Sequence, residues 1–218
     1  MAERGRPRGF DRAEALERAM HVFWNQGYEG ATVADLKSAM GGITSPSLYA
    51  AFRSKEELFL EAVDLYRRTD GTTTARALTE QPTARSAVET MLRDAVEAFT
   101  TPGKPRGCLI VLGAMNSATD SKNVQEHLMA FRRQTPDLIR RRLERGVSEG
   151  DIPKGHDLSA LGSFYATVLH GLSIQARDGA ARAAMMAAID CAMAAWDGMV
   201  GPPAKTKGPG KSARPSTG

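Results

Sequence analysis

The segment from Thr32 to Phe52, TVADLKSAMGGITSPSLYAAF, constrains the fold most, because it predicts two short helices separated by a glycine break. Thr32 and Asp35 form a capping-box pattern, and apolar residues then recur at helical spacing as far as the paired glycines. Ser45 and Pro46 supply an N-cap and a first-turn proline for the second helix. That helix is too short to be stable alone, so neighbouring helices must hold it in place.

Two interpretations of this helix pair remain open. A small polar helix end on a rigid platform is what entry into the major groove of DNA requires. The same spacing also fits an ordinary helical hairpin inside an all-helical core. In both cases Leu48 and Phe52, four residues apart, are predicted to pack inward.

The composition indicates a folded protein, since 42% of the 218 residues are hydrophobic. No apolar run is long enough to span a bilayer, and the first residues, MAERGRPRGF, lack the apolar centre of a signal peptide. We therefore expect a cytoplasmic protein that does not associate with a membrane. Cys108 and Cys191 lie in apolar runs and are expected to be buried, reduced thiols. No spacing of metal ligands is present, so neither a metal nor a cofactor is predicted.

The formal net charge of +4 lies at the ends of the chain rather than in its body. Residues 201–218 contain four basic residues and no acid, so removing them from 29 basic and 25 acidic residues leaves 25 of each. We predict a disordered tail there. Residues 1–10 form a flexible basic arm in which Arg6 and Arg8 precede the first predicted helix. Contact with phosphates or a minor groove, and simple solvation, are both open for this arm.

Helical spacing recurs along the rest of the chain, so the predicted fold class is all-α. The first predicted helix begins at Asp11 and stops at Gly27. A capping box at Ser54 and Glu57 begins the fourth. Residues 67–82 are polar and end at a proline, which marks a linker. Further helices are predicted at 83–101, 107–115 and 124–147, and in two apolar segments near 158–172 and 180–196. For 107–115 a buried strand is the other interpretation, and the helix at 124–147 is predicted to bend or break at its internal proline.

The segment from Phe10 to Tyr66 resembles the N-terminal domain of the TetR (tetracycline repressor) family, particularly in GYEGATVADLKSAM followed by SPSLYAAFRSKEELFLEAV. The resemblance covers roughly the first third of the chain and implies a helix-turn-helix with a recognition helix from about Ser45 to Phe52. It departs from the family pattern by one extra residue in the turn before that helix. The DNA contacts implied are phosphate contacts from Thr32 and Tyr49, a backbone contact from Lys55, and base contacts from Thr44, Ser45 and Ser47.

The resemblance also implies an N-terminal three-helix DNA-binding domain followed by a C-terminal helical ligand-binding and dimerisation domain. We predict a helix-turn-helix domain at 11–54, a connecting helix and linker at 55–82, and a ligand-binding and dimerisation domain at 83–200. An apolar cavity with few polar groups suits a small-molecule effector. Core packing explains each residue of that cavity equally well when taken singly. The predicted lining residues are Phe99, Leu112, Met115, Asn116, Tyr165 and His170.

The last two predicted helices indicate a homodimer. The segment from Ala180 to Trp196 is nearly apolar on every side, and such a helix must be covered on every side. A second copy across a two-fold axis can cover it, and so can the core of a monomer. The predicted interface residues are Leu161, Tyr165, Val168, Leu172, Met185, Ile189, Met193 and Trp196.

The predicted function is a ligand-responsive transcriptional regulator without enzymatic activity. We expect a repressor that binds a palindromic operator in double-stranded DNA as a homodimer and is released by a small-molecule effector. Two alternatives come from other classes. GVSEG at 146–150 matches the nucleophile elbow of a serine hydrolase using Ser148, although a helical pattern precedes the serine where the elbow needs a strand. The other alternative is a helical adaptor that binds no DNA.

Overall fold

The computed structural model describes residues 11–114 and 121–201, and within those ranges every regular element is a helix. This confirms the predicted all-α fold class. A short 3₁₀ turn, Asp70–Thr72, connects α4 to α5. In chain order the helices are α1 (Arg12–Gly30), α2 (Val33–Ala39), α3 (Ser45–Phe52), α4 (Lys55–Arg68), α5 (Thr73–Glu80), α6 (Ala84–Phe99), α7 (Leu109–Leu112), α8 (Lys122–Glu149), α9 (Leu158–Arg177) and α10 (Arg182–Val200).

An aromatic core holds α1 and α4 together. Phe23 and Trp24 of α1 meet Phe59 and Tyr66 of α4 edge to face, with ring centroids 5.0 Å and 4.8 Å apart. All four side chains are buried, and each such pair adds about 0.5–1.5 kcal/mol to the burial of its area. The predicted stop at Gly27 is a kink instead, because this residue has φ of 73° inside a helix that continues to Gly30.

The turn between α2 and α3 consists of two glycines in the left-handed region, Gly41 with φ of 89° and Gly42 with φ of 76°. Their N–H groups donate to the carbonyl oxygens of Ser38 at 3.2 Å and Lys37 at 2.9 Å. This pair of hydrogen bonds is the Schellman arrangement that satisfies the last carbonyls of a helix. The extra turn residue of this chain therefore has a defined place in the backbone.

Side-chain caps begin both helices of the pair. The predicted capping box of Thr32 and Asp35 is confirmed, with each residue's side chain bonding the other's backbone N–H. The N-cap of α3 is Thr44 rather than Ser45, because Thr44 has the extended backbone of a cap and accepts the N–H of Ser47 at 3.3 Å. Pro46 consequently occupies the second position of the helix, where its missing N–H costs nothing.

The remaining helices enclose a second core, formed by α6, α8, α9, α10 and α5. The helix α5 is a correction, since residues 67–82 were expected to be a linker after α4. It forms because Ala77 and Leu78 turn into this core and leave the polar residues outside. Of the predicted bend or break at Pro136, the break is absent, because α8 continues through this residue. The helix predicted at 107–115 is reduced to the single turn α7.

Most of the predicted dimer-interface residues lie in the core of the single chain. Val168 is half-buried, but the other seven are only 0–6% exposed. A side chain that its own chain already covers has no surface left for a partner, so the prediction is corrected for these seven. They are Leu161, Tyr165, Leu172, Met185, Ile189, Met193 and Trp196.

The opposite faces of α9 and α10 are exposed and apolar. Phe164 and Ile174 on α9 are 38% and 40% exposed, which is unusual for large apolar side chains. A row of small residues lies exposed along α10, comprising Ala184, Ala187, Cys191 and Ala195. The expectation that Cys191 is buried is therefore wrong. Both cysteines are free thiols.

By length and composition α10 is apolar enough to cross a membrane, and no other helix in the described ranges is. Its inner face nevertheless packs in the second core, where Met185, Ile189 and Met193 are buried. A core helix packed in this way passes the same test without entering a bilayer.

Candidate DNA-binding surface and ligand cavity

One face of the helix α3 packs against the core, and the opposite face is exposed to solvent. Leu48 and Phe52 are each 1% exposed and join the core of α1 and α4. The guanidinium of Arg12 lies 4.4 Å from the centre of the Phe52 ring and pairs with Glu61 of α4 at 2.7 Å, which ties α1, α3 and α4 together. The free side is a stripe at helical spacing that we call the α3 stripe, formed by Pro46, Tyr49, Ala50 and Arg53.

The hydroxyls predicted to face bases have partners within the protein. Thr44 and Ser47 share a hydrogen bond between their hydroxyl oxygens at 2.9 Å. Lys37 of α2 donates its ammonium to the hydroxyl of Ser45 at 3.1 Å. These side chains therefore fix the start of α3 relative to α2. Their contacts with bases stay a prediction.

The residues predicted to contact phosphate surround α3. The hydroxyl of Thr32 donates to the carboxylate of Asp35 at 2.6 Å, and this bond lowers the pKa of Asp35. Tyr49 is 43% exposed on the α3 stripe, with its phenol open to solvent. Lys55 sits at the start of α4 with its ammonium 4.5 Å from the centre of the Tyr28 ring. Desolvation there lowers the pKa of Lys55.

Sequence reasoning missed Arg53 and Lys37. Arg53 ends α3 in the left-handed region at φ of 60°, and its side chain is 83% exposed. Its spacing of four and seven residues from Tyr49 and Pro46 is the signal that places it on the stripe. Arg6 and Arg8 of the basic arm lie outside the described residues.

A cavity of about 260 Å³ lies between the two cores. The end of α4, the 3₁₀ turn and the start of α5 form one wall, and Cys108–Val111, α8 and α9 form the others. Of the predicted lining residues, Phe99 and His170 do line it, and Met115 and Asn116 lie outside the described residues.

Two predicted lining residues face elsewhere. The hydroxyl of Tyr165 donates to the carbonyl oxygen of Ala192 at 3.1 Å inside the second core, where burial raises its pKa to about 12. Leu112 packs over the backbone of Gly107. Sequence reasoning missed the wall formed by Tyr66, Asp70 and Thr72, because it treated that segment as a linker.

The segment 106–113 connects the cavity to α1 and α9. The indole N–H of Trp24 donates to the carbonyl oxygen of Gly107 at 2.9 Å, and the backbone N–H of Tyr28 donates to that of Gly113 at 2.7 Å. On the other side, the N–H of Cys108 donates to the hydroxyl of Ser173 at 2.9 Å. Because Cys108 also lines the cavity, a molecule bound there touches the same segment that holds the end of α1.

Arg177 closes this junction at the end of α9. Its guanidinium donates to the carbonyl oxygens of Asn25 at 2.5 Å and Arg106 at 3.0 Å, and also to that of Trp24. Burial lowers the pKa of Arg177. A half-buried cation bonded to three carbonyl oxygens on two segments restrains how α1 and α9 move relative to each other.

Ser148 lacks the geometry of a nucleophile elbow. It lies in the last turn of α8, and its hydroxyl donates to the carbonyl oxygen of Arg145 at 2.7 Å. The elbow needs a strand before the serine, and here 26 helical residues precede it, from Lys122 to Val147. Within residues 11–114 and 121–201, no group of three or more His, Cys, Asp or Glu residues is placed to hold a metal ion.

A braced recognition helix followed by a helical unit, with a cavity between the two cores, defines a helix-turn-helix regulator. Residues 15–62 match the family of bacterial regulatory proteins called tetR, and residues 69–192 match the tetracyclin repressor-like C-terminal domain. The chain belongs to the TetR family of transcriptional regulators. The predicted order of a helix-turn-helix domain and a C-terminal helical domain is thereby confirmed.

Particular relatives agree with this assignment. The chain is similar to the HTH-type transcriptional repressor ComR of Escherichia coli strain K12, with 31% identity over 198 residues that cover 90% of this chain and 94% of ComR. The repressor BdcR of the same strain is 28% identical over 176 residues, which cover 80% of this chain and 83% of BdcR. Both are named as repressors.

A solved structure extends the comparison to a DNA complex. A cysteine-substituted variant of the TetR family regulator CifR, complexed with 26-bp double-stranded operator DNA, is 46% identical with a TM-score of 0.84. The match covers 88% of this chain and 100% of CifR. A regulator from Chloroflexus aurantiacus, 22% identical over 88% of this chain and 96% of its own, has a TM-score of 0.74 and shows the shared fold.

Proposed function

We propose that two copies of this chain bind a palindromic operator and repress transcription in the cytoplasm until a small-molecule effector releases them. The observation that carries this proposal is α3, which is packed inward through Leu48 and Phe52 and presents the α3 stripe to solvent. A helix presented in this way can meet base edges in the major groove. The CifR relative, complexed with operator DNA, supports the same role here.

The contacts with DNA divide between position and sequence. Tyr49, Arg53 and Lys55 lie on and beside α3 and would bind phosphates, which fixes the register of the helix on the duplex. Pro46 and Ala50 on the α3 stripe are apolar and small. They suit contact with thymine methyl groups better than hydrogen bonding to base edges.

The exposed faces of α9 and α10 would form the dimer. The small residues along α10 permit close approach of a second helix, and Phe164 and Ile174 on α9 are large apolar side chains that a partner would cover. We expect a two-fold axis through these faces to place two copies of α3 on one side of the dimer. Their separation of about one DNA turn, roughly 34–36 Å, would match the half-sites of a palindrome.

The effector would act by a shift of population between two conformations. Its cavity lies against the end of α4 and against segment 106–113, which hydrogen-bonds to α1. A bound molecule would therefore change the position of both helices that brace α3. The conformation with bound effector would no longer place two copies of α3 in successive major grooves.

The test is fluorescence anisotropy with DNA flanking the gene, at several salt concentrations. Tyr49→Ala and Arg53→Ala should each weaken binding roughly tenfold, and Arg53→Ala should lower the salt slope by about 1. The matched control is Arg141→Ala, which removes the same charge from an exposed position on α8. Binding that is equally weakened by the control, or absent at low salt, would contradict the proposal.

Assays on the same protein separate the proposed regulator from the two alternative functions. A serine hydrolase would cleave ester substrates and lose that activity in Ser148→Ala. A helical adaptor would dimerise and bind none of the promoter fragments.

A further inference from the structure

We propose that the effector is an uncharged molecule of about one six-membered ring, apolar over most of its surface, whose oxygen hydrogen-bonds to Gln134, Thr135 and His170. This inference rests on the proposed function, since it names the ligand of the cavity between the two cores.

The size of the cavity limits the ligand. A cavity of about 150 Å³ is enough to hold benzene. The present cavity of about 260 Å³ therefore accommodates one ring and a few further heavy atoms. Its walls include Phe99, Phe131, Leu138 and Leu169, which provide apolar contact on several sides.

The charged groups at the cavity already have partners. The carboxylate of Asp70 is only 14% exposed and pairs with the ammonium of Lys104. The guanidinium of Arg67 lies 3.8 Å from the centre of the Phe131 ring, and it pairs with Asp64 at 3.9 Å. A charged ligand would lose its hydration without gaining a free counter-charge, which costs several kcal/mol for a buried ion.

His170 adds no charge either. It lies on α9, and burial lowers its pKa, with the nearby guanidinium of Arg132 lowering it further. At neutral pH the imidazole is therefore uncharged and offers one hydrogen-bond donor and one acceptor.

Five polar side chains at the cavity have no hydrogen-bond partner among the described residues. Thr73 and Thr74 lie at the start of α5, and the other three are Gln134 and Thr135 on α8 and His170 on the neighbouring helix α9. Each can both donate and accept, so an alcohol, aldehyde, ketone or amide oxygen is the group that they fit. Apolar walls with a few unpaired polar groups are what a specific small-molecule site requires.

The experiment uses two sets of probes with the same shape and different charge. One set is benzyl alcohol, benzoate and benzylamine, and the other is hexanol, hexanoate and hexylamine. Isothermal titration of the full chain without DNA, at neutral pH, measures each dissociation constant. The neutral member of a set should bind at roughly 0.1–1 mM, at least tenfold more tightly than its charged counterparts.

Variants connect that binding to the cavity. His170→Phe should weaken the neutral probe about fivefold or more, whereas the matched control His156→Phe, in the loop before α9, should not. Gln134→Glu places an uncompensated carboxylate at the cavity and should reverse the preference toward benzylamine. Circular dichroism melting confirms that each variant is folded.

Several results would overturn the inference. They are equal or tighter binding of the charged probes, no binding of any probe up to about 10 mM, and neutral binding that neither cavity variant changes. Anisotropy with promoter DNA is measured in parallel on the same preparations. If the unsubstituted protein does not bind promoter DNA, the proposed function is contradicted. If it binds promoter DNA but does not bind the neutral probes more tightly than the charged ones, this inference alone is contradicted.

Discussion

Adding one methyl group at Gly107 should destabilise the protein by about 2–4 kcal/mol. Gly107 has φ of 80°, and a Cβ built there would lie 2.6 Å from a methyl carbon of Leu112 and 2.7 Å from the backbone oxygen of Ser173. The leucine methyl can rotate away, but the oxygen belongs to α9 and cannot. Gly107→Ala would therefore push segment 106–113 off α9.

The magnitude has three parts. An alanine in the left-handed region costs about 1–2 kcal/mol, and reduced freedom of the unfolded chain returns about 0.4–1 kcal/mol. Overpacking in a site that cannot relax adds about 1–3 kcal/mol. Gly103 isolates the last part, because it has the same φ of 80° and a Cβ there would meet nothing within 4 Å. Gly103→Ala should therefore cost only about 1 kcal/mol.

Urea unfolding followed by circular dichroism measures both variants, at one protein concentration because association adds to apparent stability. The midpoint of Gly107→Ala should fall well below that of Gly103→Ala, at an unchanged slope. Neutral probes should also bind Gly107→Ala more weakly, since Cys108 and Ile110 of the displaced segment line the cavity. Equal destabilisation of the two variants would show that segment 106–113 is not tightly packed on α9.

Three further predictions follow from the same contacts. Trp24→Phe keeps an aromatic ring at this position but leaves the buried carbonyl oxygen of Gly107 without its donor, which should cost about 1–3 kcal/mol in urea unfolding and weaken the release of DNA by effector. The pKa of His170 is lowered in the folded protein, so as the pH falls through the ordinary value of 6.5 the unfolded chain takes up the proton first and the free energy of unfolding decreases. His170→Gln should therefore lose less stability than the unsubstituted protein between about pH 7 and about pH 5. Ala187→Glu places a charge on the exposed face of α10 and should give monomers in sedimentation velocity, whereas Ser148→Glu, at an exposed site on α8, should leave the dimer intact.

Local chemistry explains what could be predicted from the sequence. The capping box of Thr32 and the inward packing of Leu48 and Phe52 depend on residues within one or two turns of each other, and both are present in the structure. The helix α5 was missed because its stability comes from tertiary packing. Ala77 and Leu78 are two apolar residues in a polar segment, and they stabilise a helix only because they pack into the second core.

Several residues assigned to the dimer interface and the cavity lie elsewhere for a different reason. Both faces of α9 and of α10 are apolar, so the sequence pattern predicts that both faces are buried. The pattern does not indicate which face packs in the chain's own core and which face meets a second copy. Tyr165 looked equally suited to an interface, a cavity or a core. Its position was decided by the carbonyl oxygen of Ala192, 27 residues away, and by the ring of Trp196.

The residues at the start of the recognition helix have a structural role that does not reveal whether they also contact bases. Hydroxyls at the start of a helix suit base edges and helix caps equally, since both need a short side chain that donates and accepts. In this chain Thr44, Ser45 and Ser47 bond to one another or to Lys37. The α3 stripe presents to solvent a phenol, a guanidinium that pairs with Glu57 at 3.6 Å, and two apolar surfaces. Operator specificity would therefore come from methyl contacts and DNA shape more than from hydrogen bonds to bases.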